Sequence, residues 1–133
     1  TFYGLMFNPT YKPVKLPQIA LLNTTLSYLF IEVLGRVALG QGVLQYARID
    51  MERLLAFDAT AFDDAGQQRL VEALEAVSDR PTMPIFEEIN QRDRRHLDSI
   101  VFQEIGMKPS EAEELYTSVA ALVRYRVSKA ESV

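Results

Sequence analysis

The chain has 133 residues, 48% hydrophobic and 24% charged, with six glycines, six prolines, one histidine and no cysteine. Apolar residues recur in every segment and can offset the entropy of ordering, which excludes collagenous, low-complexity and disordered chains. Disulfides, thiolate metal sites, cysteine nucleophiles and multi-histidine clusters are excluded too, and a net charge of −4 with a pI near 5.0 argues against a general nucleic-acid-binding field.

The opening Thr1-Phe2-Tyr3-Gly4-Leu5-Met6-Phe7 has no charged leader. It reads as part of a longer chain and not as a signal peptide. Residues 2–7 predict a short strand, and Asn8-Pro9-Thr10-Tyr11-Lys12-Pro13 a turn and loop. Asn8-Pro9-Thr10-Tyr11 is one residue from the Asn-Pro-Pro-Tyr signature of amino-group methyltransferases. The second proline is missing and no room precedes it for a cofactor-binding half, so a plain turn is the reading.

From Pro17 to Leu34, Ile19, Leu22, Leu26, Leu29, Phe30, Val33 and Leu34 recur at three and four, predicting one core helix closed by Gly35. Gln18, Asn23, Thr24, Thr25, Ser27 and Glu32 interrupt it too often for a membrane span. Leu39-Gly40-Gln41-Gly42 follows as a loop too short for any phosphate-binding motif. It is either a tight connection or a recognition loop in which Gln41 offers an amide to a base edge. Imperfect alternation over Val43 to Asp50 predicts a strand, and residues 51–56 a helical turn.

The remainder reads as helical. Asp63 or Asp64 caps a helix carrying Leu70, Val71, Leu74 and Val77 that ends near Ser78-Asp79-Arg80-Pro81. A stripe from Ile85 to Ile105 stops at Gly106, with an interruption near Asn90 and Asp93 as a second cap. Ser110 and Glu113 make a capping-box pattern for a last helix, and residues 124–133 read as a fraying polar tail. Arg92-Asp93-Arg94-Arg95-His96 is the one basic run. Glu88 to Arg92 and Arg94 to Asp98 have the favourable spacing of four, so the run reads as a solvated, ion-paired face, and His96 has no catalytic partner. The expected fold class is α+β and predominantly helical, one domain over 1–133. A small sheet from residues 1–58 packs on a long helix, and a helical segment over 59–133 follows.

Three segments together carry a resemblance. Ile19 to Arg36 is similar to the "ALLNSTL…F…E…GR" helix in the C-terminal target-recognition region of bacterial N6-adenine DNA methyltransferases of restriction-modification systems. Leu39-Gly40-Gln41-Gly42-Val43-Leu44 resembles the "LGxGxL" loop and strand after it. Phe86-Glu87-Glu88-Ile89, Asp93 to Asp98, Ile105-Gly106, Leu115-Tyr116 and Leu122-Val123 resemble the closing helical segment. The usual "LPI"-like turn is missing, since Arg53 to Asp58 has no proline, and the cofactor motif and catalytic tetrapeptide are absent.

The resemblance implies a target-recognition portion that is not catalytic by itself and carries no cofactor. Its parent would be a cytoplasmic enzyme transferring a methyl group from S-adenosylmethionine to adenine N6 of an extruded base. Its partner would be double-stranded DNA, held together with the catalytic domain of the same protein, with no membrane contact and a restriction subunit as a possible associate. The candidate DNA-binding residues are Arg36, Gln41, Gln45 and Arg48, polar residues in or beside the glycine loop and of types suited to base or phosphate contact. They fall in residues 1–57, which carry five basic against three acidic side chains, whereas residues 58–133 carry nine against fifteen. The alternative is a helical interaction domain that packs on a catalytic domain or subunit without touching DNA.

Overall fold

Residues 6–37 and 42–131 are described by the computed structural model. Asn8 starts a turn in which its side-chain and main-chain oxygens both accept from the Tyr11 N–H, at 3.2 and 3.1 Å. A 3-10 turn then leads into helix α1 (Lys15–Leu22), followed by α2 (Thr25–Leu34). Two short strands follow, β1 (Arg36–Val37) and β2 (Leu44–Gln45). Helix α3 (Arg48–Glu52) and a second 3-10 turn precede α4 (Asp64–Ser78), α5 (Ile85–Glu88), α6 (Arg92–Glu104) and α7 (Pro109–Glu131).

Where one helix over 17–34 is expected, the chain breaks at Asn23-Thr24. Thr24 is extended and caps α2: its hydroxyl oxygen accepts from the Ser27 N–H at 3.3 Å and donates to the Leu21 carbonyl at 2.8 Å. Such a cap contributes about 1 kcal/mol, enough to favour two helices where tertiary contacts complete the ends. Helix α6 supplies those contacts. Its Arg94 donates to the Asn23 carbonyl closing α1, and its Asp98 accepts from the Thr25 N–H at 2.7 Å and the Thr25 hydroxyl at 2.6 Å. A cation thus meets a helix C-terminus and a carboxylate a helix N-terminus, each complementing the local dipole.

Two apolar clusters meet along α6. In the first, Ala20 and Leu21 of α1 pack with Leu70, Ala73 and Val77 of α4 and Leu97, Ile100 and Val101 of α6. The second joins Leu26 of α2 to Ile89, Phe102, Leu115 and Tyr116, with Phe102 and Tyr116 edge to face at 6.0 Å. Asp63 caps α4 by accepting from the Gly66 N–H at 2.6 Å, as its sequence predicts. The stripe over 85–105 is interrupted near Asn90, and Gly106 closes α6 with φ +68°.

The fold is helical, and the expected α+β class with a small sheet packed on a long helix is wrong. Each strand is two residues long, a bridge at the end of α2 and not a layer resting on a helix. The strand predicted over 43–50 gives way at Ala47, because Asp50 reaches back to accept the Ala47 N–H at 2.8 Å and starts α3. The predicted strand over 2–7 lies outside the described residues except for Met6 and Phe7, which are irregular. Nor does the C-terminal segment fray over its described residues: α7 runs to Glu131. Its start is marked by Pro109 in the first turn and by Glu111, which accepts the Lys108 N–H at 2.7 Å, and not by Ser110 and Glu113.

Candidate nucleic-acid interface

The hairpin after α2 is built on a close approach. A Cβ on Gly35 would lie 2.6 Å from the Tyr46 hydroxyl and 2.8 Å from a Leu44 methyl, so glycine lets the returning strand cross over the helix end. The Tyr46 hydroxyl donates to the Ile31 carbonyl in the last turn of α2. Burial raises the Tyr46 phenol above its usual range, with Glu32 adding to the effect, so it remains a donor. The antiparallel register sets Arg36 opposite Gln45 and Val37 opposite Leu44.

The ladder therefore brings together two candidates that lie nine positions apart in sequence. Arg36 and Gln45 are exposed, and the Arg36 guanidinium donates to Asp50 at 2.8 Å. The Ala47 N–H, with Arg36 second, holds the Asp50 carboxyl below its ordinary range. Arg48 stands in the first turn of α3, its side chain 83% exposed, and pairs with Glu52 at 2.7 Å along the helix. Gln41 lies outside the described residues. Among the described residues of this lip, three arginines, Arg36, Arg48 and Arg53, stand with two carboxylates, Asp50 and Glu52, and the exposed Arg36 and Arg48 guanidinium groups are each ion-paired. The exposed Arg48–Glu52 pair contributes at most about 1 kcal/mol, so a phosphate or base can displace its carboxylate, whereas Arg36 is held by the buried Asp50.

The other end of the hairpin rests on residues that local sequence reading passes over. Arg126 of α7 forms a two-pronged pair with Glu32 of α2, at 2.6 and 3.0 Å, and donates to the Gly42 carbonyl. Its partner is 94 positions away, so no local signal announces it.

The basic run 92–96 is solvated only in part: Arg92 and His96 are exposed, Arg95 is half-buried, and Arg94 is buried. Arg94 is 2% exposed; its guanidinium meets Glu88 at 2.9 Å and lies 5.2 Å from the centre of the Tyr28 ring. Arg80, two residues beyond α4, donates to Glu88 at 2.9 and 3.0 Å and to Asp93 at 2.6 and 2.8 Å. Chiefly through Arg80, the Glu88 carboxyl is held down to about 2. Asp98, wholly buried, also accepts from the Tyr116 hydroxyl at 3.0 Å; burial pushes its carboxyl above the ordinary value against the pull of those bonds. Arg95 lies 4.4 Å over the Tyr116 ring and pairs with Glu113. Every buried side-chain polar atom among the described residues has a partner, so this network joins helices and presents nothing to a ligand. His96 is exposed.

A cavity of about 370 Å³ opens beside α1 and α3, lined by Met6, Phe7, Leu22, Met51, Leu54 and Phe57. The Gln18 amide at its edge is already used: it donates to the Phe57 carbonyl at 2.8 Å and accepts from the Ala59 N–H at 3.0 Å. Among the described residues no group of His, Asp and Glu is arranged to hold a metal ion, and no helix is long and apolar enough to cross a membrane. The chain matches no family model, no curated protein and no solved structure.

Proposed function

We propose that the chain is the target-recognition portion of an adenine-N6 DNA methyltransferase of the restriction-modification type. It holds duplex DNA against a catalytic domain that uses S-adenosylmethionine, works in the cytoplasm and has no catalysis of its own. The observation that carries this reading is the hairpin lip, where exposed Arg36 and Gln45 stand opposite one another with exposed Arg48 beside them. Arginine and glutamine side chains presented together from a short turn suit bidentate base contacts or phosphate contacts. The resemblance of the flanking segments supplies the methyltransferase context.

The test is selection by the 133-residue chain from a random-sequence duplex pool, followed by affinity measurements on the selected duplex. Expected is weak binding with a shallow salt dependence, since few phosphates are neutralised by so small a basic lip. Gln45→Ala or Arg48→Ala should each weaken binding by about 1–3 kcal/mol where a bidentate base contact is lost. No enrichment over the starting pool, or variants that bind as well as the parent chain, would overturn the reading.

One observation favours the alternative of an interaction domain, namely the apolar cavity beside α1 and α3. Under that reading Met51→Asp and Leu54→Asp disrupt assembly with a catalytic domain, whereas the hairpin variants are silent.

A further inference from the structure

Among the polar groups that the recognition reading leaves unused, Arg126 stands apart. It sits on α7, its side chain is 18% exposed, and its partner Glu32 is 11% exposed. The guanidinium meets both carboxylate oxygens and also donates to the Gly42 carbonyl, so Nε and both Nη atoms are each engaged inward by one bond. A planar fork that serves a carboxylate and a carbonyl at once is a geometry lysine cannot reproduce.

A second observation meets the first at the same point. Gly42 has φ +64°, and a Cβ there would lie 3.2 Å from the Ala130 Cβ and 3.5 Å from the Arg126 carbonyl oxygen and Val127 Cα. The backbone at Gly42 therefore lies flush on α7. Two residues later the chain enters β2, where Gln45 faces Arg36. Whatever sets the position of Gly42 sets where β2 begins.

We propose that Arg126, locked to Glu32 and bonded to Gly42, is the positioning residue of the recognition hairpin: it joins α2, α7 and the loop exit and thereby aims Gln45 and Arg36, without itself touching DNA. This inference rests on the hairpin being the DNA-facing element, and its first readout does not involve DNA. Amide hydrogen exchange over Gly42–Tyr46 is compared in the 133-residue chain and three variants. Arg126→Gln removes the fork. Arg126→Lys keeps the charge beside Glu32. Ala130→Leu lifts Gly42 off α7 with Arg126 intact.

Exchange over Gly42–Tyr46 is expected to accelerate about tenfold in all three, with α4 and α6 unchanged. Arg126→Lys should recover global stability but not loop protection. In duplex binding, Arg126→Gln should lose about fivefold in affinity at an unchanged salt slope, whereas loss of a direct phosphate contact lowers the slope by about 1. Unchanged loop exchange in Arg126→Lys and Ala130→Leu overturns the proposal, as does a lowered salt slope in Arg126→Gln. Should Arg126→Gln fail to fold, Ala130→Leu decides the question. If the loop loosens as expected but the parent chain binds no duplex, the positioning role stands and the DNA-facing reading falls.

Discussion

Replacing Arg94 by alanine tests whether the buried network holds the helices together. In the parent chain the Arg94 guanidinium satisfies the Asn23 carbonyl, pairs with Glu88 at 2.9 Å and covers Tyr28. Breaking a buried pair by removing one partner costs about 3–5 kcal/mol, mainly because the remaining charge loses its compensation. Here Glu88 keeps both Arg80 bonds and the Met83 N–H at 3.0 Å, so the loss should lie at the low end, about 3 kcal/mol. With a urea m-value of roughly 2 kcal/mol/M, the unfolding midpoint should fall by about 1.5 M, followed by far-UV circular dichroism. The control is Arg92→Ala two positions earlier, exposed, which should stay within about 0.5 kcal/mol. Equal small shifts for the two variants would return Arg94 to the solvated surface that its sequence suggests and refute the network's role in stability.

Acid should act through the same network. Glu88 titrates near 2 in the folded chain against an ordinary 4.5, so its contribution is complete above the ordinary value and is lost as pH falls from 4.5 toward about 2. Asp98 works in the opposite sense, its raised carboxyl favouring the folded state more as pH falls; the difference between parent and Glu88→Gln in urea midpoint against pH therefore isolates Glu88, with the variant flatter over that window. Gly42→Ala and Gly106→Ala both force a Cβ into the left-handed region, at φ +64° and +68°, which costs about 1–2 kcal/mol. Only Gly42 is also pressed against Ala130, whereas Gly106 has open space, so thermal unfolding should show the larger loss for Gly42→Ala; equal losses would contradict the close docking on α7.

Helix boundaries marked by local chemistry were readable from the sequence. Asp63 ahead of a three-and-four apolar stripe and Gly106 at the end of another are signals carried by neighbouring residues. The break at Asn23-Thr24 was not readable, because Leu22 and Leu26 stay four apart across it and the stripe keeps its phase. The Thr24 cap becomes decisive only with α6 in place, since Arg94 and Asp98 complete the two helix ends. The same pair exposes a limit of spacing arguments. Residues at i and i+4 share a helix face whether they pair in solvent or both point into a neighbour. Arg36, Gln45 and Arg48 could be named as candidates from residue type and position alone, but Glu32 and Arg126, 94 positions apart, belong to tertiary structure alone.

Apolar packing is non-directional, and a helix held only by Leu26, Leu29 and Phe30 could rotate at modest cost. Helix α2 is instead held at both ends by polar groups that tolerate little rotation. At its start, Asp98 accepts the Thr25 N–H and hydroxyl; near its end, Glu32 meets Arg126 across two bonds. Thr25 and Glu32 lie seven residues apart, about 10 Å of rigid rod, and Arg36 is the second residue after the helix ends at Leu34. The direction in which Arg36 leaves the fold is thereby tied to α6 and α7, helices that do not themselves carry the hairpin. If the hairpin reads bases, this arrangement meets the demand that a reading side chain be held by a rigid element and by supporting polar contacts, because tolerance for misplacement at a base edge is about half an ångström.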